Sequence, residues 1–191
     1  MREKPDHYTN AAKEQGYLAR SVFKLEELDR RFGLLKDAAH VLDLGAAPGS
    51  WTQYVLRKRP TAQVVAVDVA PLQLPAETPN LTVIADDMFR PHVLERLDSL
   101  APFDLVLSDA APATTGNRAL DSARSAALAE MAVEIARRTL GPHGRLAIKI
   151  FQGGEERELL RHLRTEFRSA RACKPRACRK DSFETYLLGF R

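Results

Sequence analysis

The 191-residue chain has little cysteine, and its thiols are badly placed for either of cysteine's usual structural uses. Cys173 and Cys178 are too few for a disulfide framework, and a four-ligand metal site needs partners that the isolated His162 does not supply. No run of about 18 apolar residues exists, and the opening Met-Arg-Glu-Lys-Pro-Asp-His carries no apolar segment, so neither a helical membrane span nor a secretory signal is expected. Repeats and low-complexity tracts are missing too. What remains is the expectation of a cytoplasmic, monomeric protein without metal or membrane partner, built as one domain over 1–191.

Within that domain, residues 1–39 carry no strand pattern. Val22, Phe23, Leu25, Leu28 and Phe32 recur at helical spacing after Ser21, a candidate N-cap, and stop at Gly33. Lys24 lies between Phe23 and Leu25, so its stem can run along apolar surface while its ammonium reaches a cleft. From His40 onward short apolar runs alternate with helical segments. Strands are expected at Val41–Leu44, Val64–Asp68, Leu81–Ile84, Phe103–Asp109 and Arg145–Phe151, the last after a turn at Gly141–Gly144. Helices are expected at Pro91–Leu100, from about Arg118 to Leu140, and near Glu155–Phe167. Two close strands, near Ser169–Cys173 and Phe183–Phe190, end the chain. This order predicts an α/β fold with a mostly parallel sheet, an antiparallel edge and helices on both faces, over a core of residues 40–191.

The stretch His40–Trp51, ending Gly-Ala-Ala-Pro-Gly-Ser-Trp, reads as strand, tight turn and helix with Ser50 as N-cap. Small residues at Gly45 and Gly49 suit a backbone that approaches a ligand closely. Gly45 is not followed by a second glycine two residues on, and Pro48 lacks an N–H, so a dinucleotide pyrophosphate is a poor match. Asp68 closes the next strand, where an acid can accept hydrogen bonds from a ribose diol. A nucleoside cofactor without phosphates, S-adenosylmethionine foremost, is the expected ligand. The plain alternative is a glycine turn that packs a strand on a helix.

Asp43, Asp68, Asp87 and Asp109 fall at or near the ends of successive strands, an acidic rim that favours a cationic cofactor. Lys149 interrupts the apolar run Leu146–Phe151. A lysine facing a core needs a partner or a task. Two readings stand: a structural ion pair with Asp109, or a proton acceptor in catalysis. From Arg157 to Lys180 nine Lys or Arg residues stand against two Glu, and Arg57-Lys58-Arg59 adds a second cluster. Such surfaces either are solvated faces or bind a polyanion.

Five segments in order carry a resemblance: Gly16–Leu25, Asp43–Trp51, Ser108–Pro112, Lys149–Gly153 and Ser182–Tyr186. Together they resemble the FtsJ-like (RrmJ-like) ribose 2′-O-methyltransferases, whose bacterial members modify large-subunit ribosomal RNA. The resemblance implies a Rossmann-like, seven-stranded methyltransferase fold using S-adenosylmethionine. It places a catalytic Lys-Asp-Lys-Glu tetrad on Lys24, Asp109, Lys149 and Glu184. It places cofactor contacts on Gly49, Trp51, Asp68, Asp87 and Asp109, with Asp86 the alternative to Asp87 at the adenine. The implied substrate is a uridine of large-subunit ribosomal RNA, in the subunit or an assembly intermediate, with transfer RNA as an alternative. Two rival expectations are a small-metabolite methyltransferase, which has no need of the basic third, and an inert ribosome-assembly factor on the same fold.

Overall fold

In the computed structural model, which describes residues 7–179 and 181–191, the chain begins with helices α1 (His7–Glu14) and α2 (Val22–Phe32). Strand β1 (His40–Leu44), helix α3 (Ser50–Lys58) and strand β2 (Gln63–Val67) follow, then β3 (Leu81–Ile84), α4 (Pro91–Leu100) and β4 (Phe103–Ser108). The rest comprises α5 (Arg118–Thr139), β5 (Leu140–Phe151), α6 (Glu155–Glu166), β6 (Ser169–Cys173) and β7 (Glu184–Phe190). The strands form one seven-stranded sheet in the order β3-β2-β1-β4-β5-β7-β6. The first five are mutually parallel, and β7 pairs antiparallel with both β5 and β6.

Side-chain alternation along the strands divides the core in two. Leu42, Val106, Leu146, Ile148 and Ile150 face the layer formed by α4, α5 and α6. Val41, Leu105, Leu107, Ala147, Tyr186 and Leu188 face α2 and α3, where Leu25, Leu28, Trp51 and Val55 meet them. With both faces covered, the central strands read as continuous apolar runs. Each such fully buried side chain contributes about 1.5–3 kcal/mol. Among the described residues no helix is long and apolar enough to cross a membrane.

The segment Gly141–Gly144 corrects an expectation. It is no free turn before the fifth strand but an irregular stretch inside β5, because Leu140 already pairs with Phe103 and Arg145 with Leu105. One residue of β4, Asp104, therefore stands against four of β5, and the glycines and proline absorb the excess as a bulge.

A second correction concerns the first turn of α3. Its N-cap is Gly49, with φ of 112°, and Ser50 is the first helical residue. The Ser50 hydroxyl is spent on Ser21, Oγ to Oγ at 2.8 Å, which ties α3 to the start of α2. Gly33 ends α2 as expected, with φ of 62° and its N–H donated to the Asp29 carbonyl.

Candidate active site

Strand order reverses between β1 and β4, since β2 and β3 lie on one side and β5 on the other. At such a point the loops leaving the carboxyl ends of the strands part and leave a crevice. A cavity of about 690 Å³ lies there, walled by Gly45, Asp68, Asp87 and Asp109 and by the apolar Val69, Met88, Phe89 and Leu128.

The acids after β2 and β3 are held by nearby backbone. Asp68 Oδ2 accepts from the Ala47 N–H at 2.9 Å and Oδ1 from the Ala70 N–H at 2.8 Å, so one carboxylate fastens the β1–α3 turn to the end of β2. Asp86 and Asp87 both reach the wall, but they are not equivalent. Asp86 Oδ1 accepts from the Asp87 N–H at 2.7 Å, and Oδ2 pairs with His92 Nε2 at 2.8 Å. That N–H, and then His92, hold the Asp86 carboxyl below its ordinary range. Asp87 Oδ1 accepts from the Phe89 N–H at 3.0 Å, and among the described residues Oδ2 has no recorded protein partner. The freer acid is Asp87.

Gly45 has φ of 69°, and a Cβ there would stand 2.5 Å from Ala110 Cβ. This glycine lets the exits of β1 and β4 close on each other, so the space it spares belongs to Ala110. Gly49 and Trp51 are not among the residues walling the cavity. A Cβ on Gly49 would meet Leu74 at 3.1 Å and Leu18 at 3.4 Å. Trp51 is buried, donates its Nε1–H to the Ser21 carbonyl at 2.9 Å and lies 5.8 Å from the Tyr186 ring. Asp43 also leaves the expected rim. As the fourth residue of β1 it points into the α3 layer, fully buried, where Oδ2 accepts the Thr52 hydroxyl at 2.7 Å. Its Oδ1 has no partner, and burial pushes its pKa up to about 7.

The four residues of the tetrad converge. Lys24 Nζ lies 2.8 Å from Glu184 Oε1 and 2.9 Å from Oε2. Lys149 Nζ lies 3.1 Å from Asp109 Oδ1 and also donates to the Asp109 carbonyl. The sheet explains this meeting: Lys149 sits opposite Tyr186 in the β5–β7 register, and Glu184, two residues before Tyr186, shares its face. Lys24 comes down from α2, with only 9% of its surface exposed.

Burial works against the Lys24 charge, but the Asp109 and Glu184 carboxylates outweigh it and hold the ammonium above its ordinary pKa. Burial likewise disfavours the Asp109 anion, yet Lys149 and Lys24, with the Tyr186 hydroxyl, pull its carboxyl below the usual range. Lys24 as a cation and Asp109 as an anion are therefore favoured beside one another.

Sequence reasoning gave no role to two neighbours. Tyr186 donates its hydroxyl to Asp109 Oδ1 at 2.6 Å, and burial, followed by Asp109 and Glu184, keeps that phenol protonated. The thiol of Cys178 hydrogen-bonds Glu184 and is pushed up to about 12, by burial first and the carboxylate second. Tyr186 was open to discovery by its period-two spacing from Glu184, whereas Cys178 arrives by a turn whose path the sequence does not reveal. A second cavity, about 490 Å³, adjoins the tetrad, with Arg20, Lys24, Phe151, Arg179, Phe183 and Glu184 in its wall. Asp109 belongs to the first cavity and Lys24 and Glu184 to the second, so the ion pairs stand between them.

The chain is similar to known proteins over nearly its whole length. A ribosomal RNA large subunit methyltransferase E from Treponema denticola is 47% identical over 186 residues, covering 97% of this chain and 94% of that protein. Its counterpart from Granulibacter bethesdensis is 45% identical and covers 100% of this chain and 83% of its own. A crystal structure from Plasmodium falciparum, of a protein assigned as a ribosomal RNA methyltransferase, superposes with a TM-score of 0.80 at 25% identity over 92% of this chain and 98% of that one. The sequence profile of the FtsJ-like methyltransferases matches residues 17–191, and the chain belongs to that family.

Proposed function

We propose that this protein transfers a methyl group from S-adenosylmethionine to the 2′-hydroxyl of a ribose in RNA, at a uridine of large-subunit ribosomal RNA. It does so as a single methyltransferase domain, monomeric and cytoplasmic. The observation that carries the reading is the pair of cavities joined by Lys24, Asp109, Lys149 and Glu184. Membership of the family and the names of the relatives support it.

The residues of the first cavity suit the cofactor. Its volume lies in the range of small-molecule sites. Val69, Met88 and Phe89 would cover the adenine, Asp87 would accept from its amino group, Asp68 would accept from the ribose hydroxyls, and Asp109 would face the cationic end. Gly45 would shape the floor, while Gly49 and Trp51 would act from behind it, through Leu74 and Ser21. When bound, S-adenosylmethionine supplies an electrophilic methyl on a sulfonium.

A ribose hydroxyl is a weak nucleophile at neutral pH, so the chain must align it and remove its proton. Lys149, neutral at the moment of transfer, accepts that proton at Nζ. Asp109 holds the amine in place through Oδ1 and its carbonyl. Lys24 stays cationic, fixed by both oxygens of Glu184, and stabilises the developing alkoxide. The basic stretch Arg157–Lys180 attracts the phosphate backbone.

The test is incubation with labelled cofactor and large subunits from cells lacking their own 2′-O-methyltransferase, followed by nucleoside mass spectrometry. One 2′-O-methyluridine is the expected product. Methyl label on a base, on small phenols only, or nowhere overturns the reading.

A further inference from the structure

The second cavity has a composition that catalysis does not require. Beyond Lys24 and Glu184 its wall contains two aromatic rings, two guanidinium groups and the Asp181 carboxylate. Phe151, two residues past Lys149, and Phe183, one residue before Glu184, lie 4.5 Å apart between ring centroids at 59°. They are fixed to each other through the backbone, because the Gln152 N–H donates to the Phe183 carbonyl at 2.7 Å. Arg118, at the start of α5, sets its guanidinium 5.3 Å from the Phe183 centroid. The half-buried Phe183 ring is thus braced while still walling the cavity.

On the same wall, Arg20 donates to the Ala177 carbonyl at 2.6 Å, which brings Ala177 against the start of α2. Burial, and next the like charge of Arg179, work against the Arg20 cation. With Lys24 the three cations of this wall outnumber the carboxylates of Asp181 and Glu184, and beside a pair of aromatic rings they suit a ligand with an anionic part and a flat one. A nucleotide has both, and RNA-modifying proteins reach single nucleotides by splaying them out of the chain onto aromatic side chains.

We infer that the second cavity takes the acceptor nucleotide unstacked, with its base against Phe183 and Phe151 and its phosphate toward Arg20 and Arg179. The inference rests on the reading of the site as an RNA ribose methyltransferase. It adds that the base, which takes no part in the reaction, is gripped by the chain itself, and that Phe183 sets how tightly. The 2′-hydroxyl then lies between the Lys24–Glu184 pair and Lys149, on the side facing the first cavity.

The test uses the full chain loaded with S-adenosylhomocysteine, which fills the first cavity, and saturation-transfer NMR with uridine 5′-monophosphate and with ribose 5-phosphate as probes. The wild type should pass saturation to the uracil H5 and H6 protons, and Phe183→Tyr should retain it. Phe183→Ala should weaken nucleotide binding by about tenfold, the size of one aromatic–base stack, and leave ribose 5-phosphate unchanged. Unaltered S-adenosylhomocysteine affinity in Phe183→Ala shows that the variant is folded. Absent uracil saturation in the wild type, or equal saturation in Phe183→Ala, overturns the inference. The outcome is separable from the functional reading: Phe183-dependent nucleotide binding without methylated RNA refutes the activity alone, and methylated RNA without Phe183 dependence refutes this pocket alone.

Discussion

The Tyr186 hydroxyl donates a 2.6 Å hydrogen bond to Asp109 Oδ1, the same oxygen that stands 3.1 Å from the Lys149 ammonium. One carboxylate oxygen thus serves a phenol and an amine that face each other across β5 and β7. A hydrogen bond to a charged group is worth roughly 1.5–3 kcal/mol. Tyr186→Phe should lower stability by about that amount and slow methyl transfer roughly tenfold, since Asp109 is then free to turn from Lys149. Thermal unfolding and single-turnover transfer check both; a variant with wild-type values for each contradicts the arrangement.

The two adjacent acids after β3 predict a graded result. Asp86 has both oxygens engaged, by the Asp87 N–H and His92, whereas Asp87 on the same wall has only Oδ1 engaged among the described residues. Asp87→Asn should weaken S-adenosylmethionine binding several-fold more than Asp86→Asn does. Asp68→Ala, which also frees the Ala47 and Ala70 N–H groups, should weaken it by about tenfold or more. Calorimetric titration of the three variants decides the order.

Buried Asp43 makes stability depend on pH. Its folded pKa of about 7 lies above the ordinary 3.8, so the native state holds this proton more tightly than the unfolded chain. The stability it lends is complete below about pH 4, falls as pH rises through 7, and is gone above that. Asp43→Asn cannot ionise there. Relative to the wild type it should therefore gain stability between pH 5 and pH 8, by on the order of 2 kcal/mol, on top of a pH-independent cost at Thr52. Urea unfolding at both pH values measures this, and parallel curves would sink the assignment.

Much of the fold could be read from residue spacing because the central strands are covered on both faces. Val64–Val67 and Leu146–Phe151 are near-continuous apolar runs, and only a buried strand uses such runs at that length. Gly33 ended its helix for the reason glycines do. The misreadings share a cause, since each depended on what lies across the sheet. Gly141–Gly144 has the composition of a turn, but Phe103 holds Leu140 in register and draws the segment into β5. Asp43 resembles the acids that follow β2 and β4, yet it lies one residue inside its strand, and that single step turns its carboxyl toward Thr52. The surroundings of Trp51 were not legible in the sequence: its indole donates to the Ser21 carbonyl and lies beside the Tyr186 ring. The Lys149–Asp109 pair was one of two readings of a lysine in an apolar strand, whereas the tetrad as a whole came from the resemblance: Lys24 and Glu184 are separated by 160 positions, and no spacing rule yields their 2.9 Å contact.

The central claim is that Lys149 takes the proton from the acceptor hydroxyl without holding the cofactor. Lys149 is not among the residues walling the first cavity, and its ammonium is bound to Asp109. The deciding measurement is S-adenosylmethionine affinity by calorimetry together with methyl transfer to large-subunit RNA, both on Lys149→Ala. The account predicts transfer below detection with a dissociation constant within a few-fold of the wild type. Retained transfer, or transfer lost together with cofactor binding, would contradict it and leave Lys149 as the structural partner of Asp109.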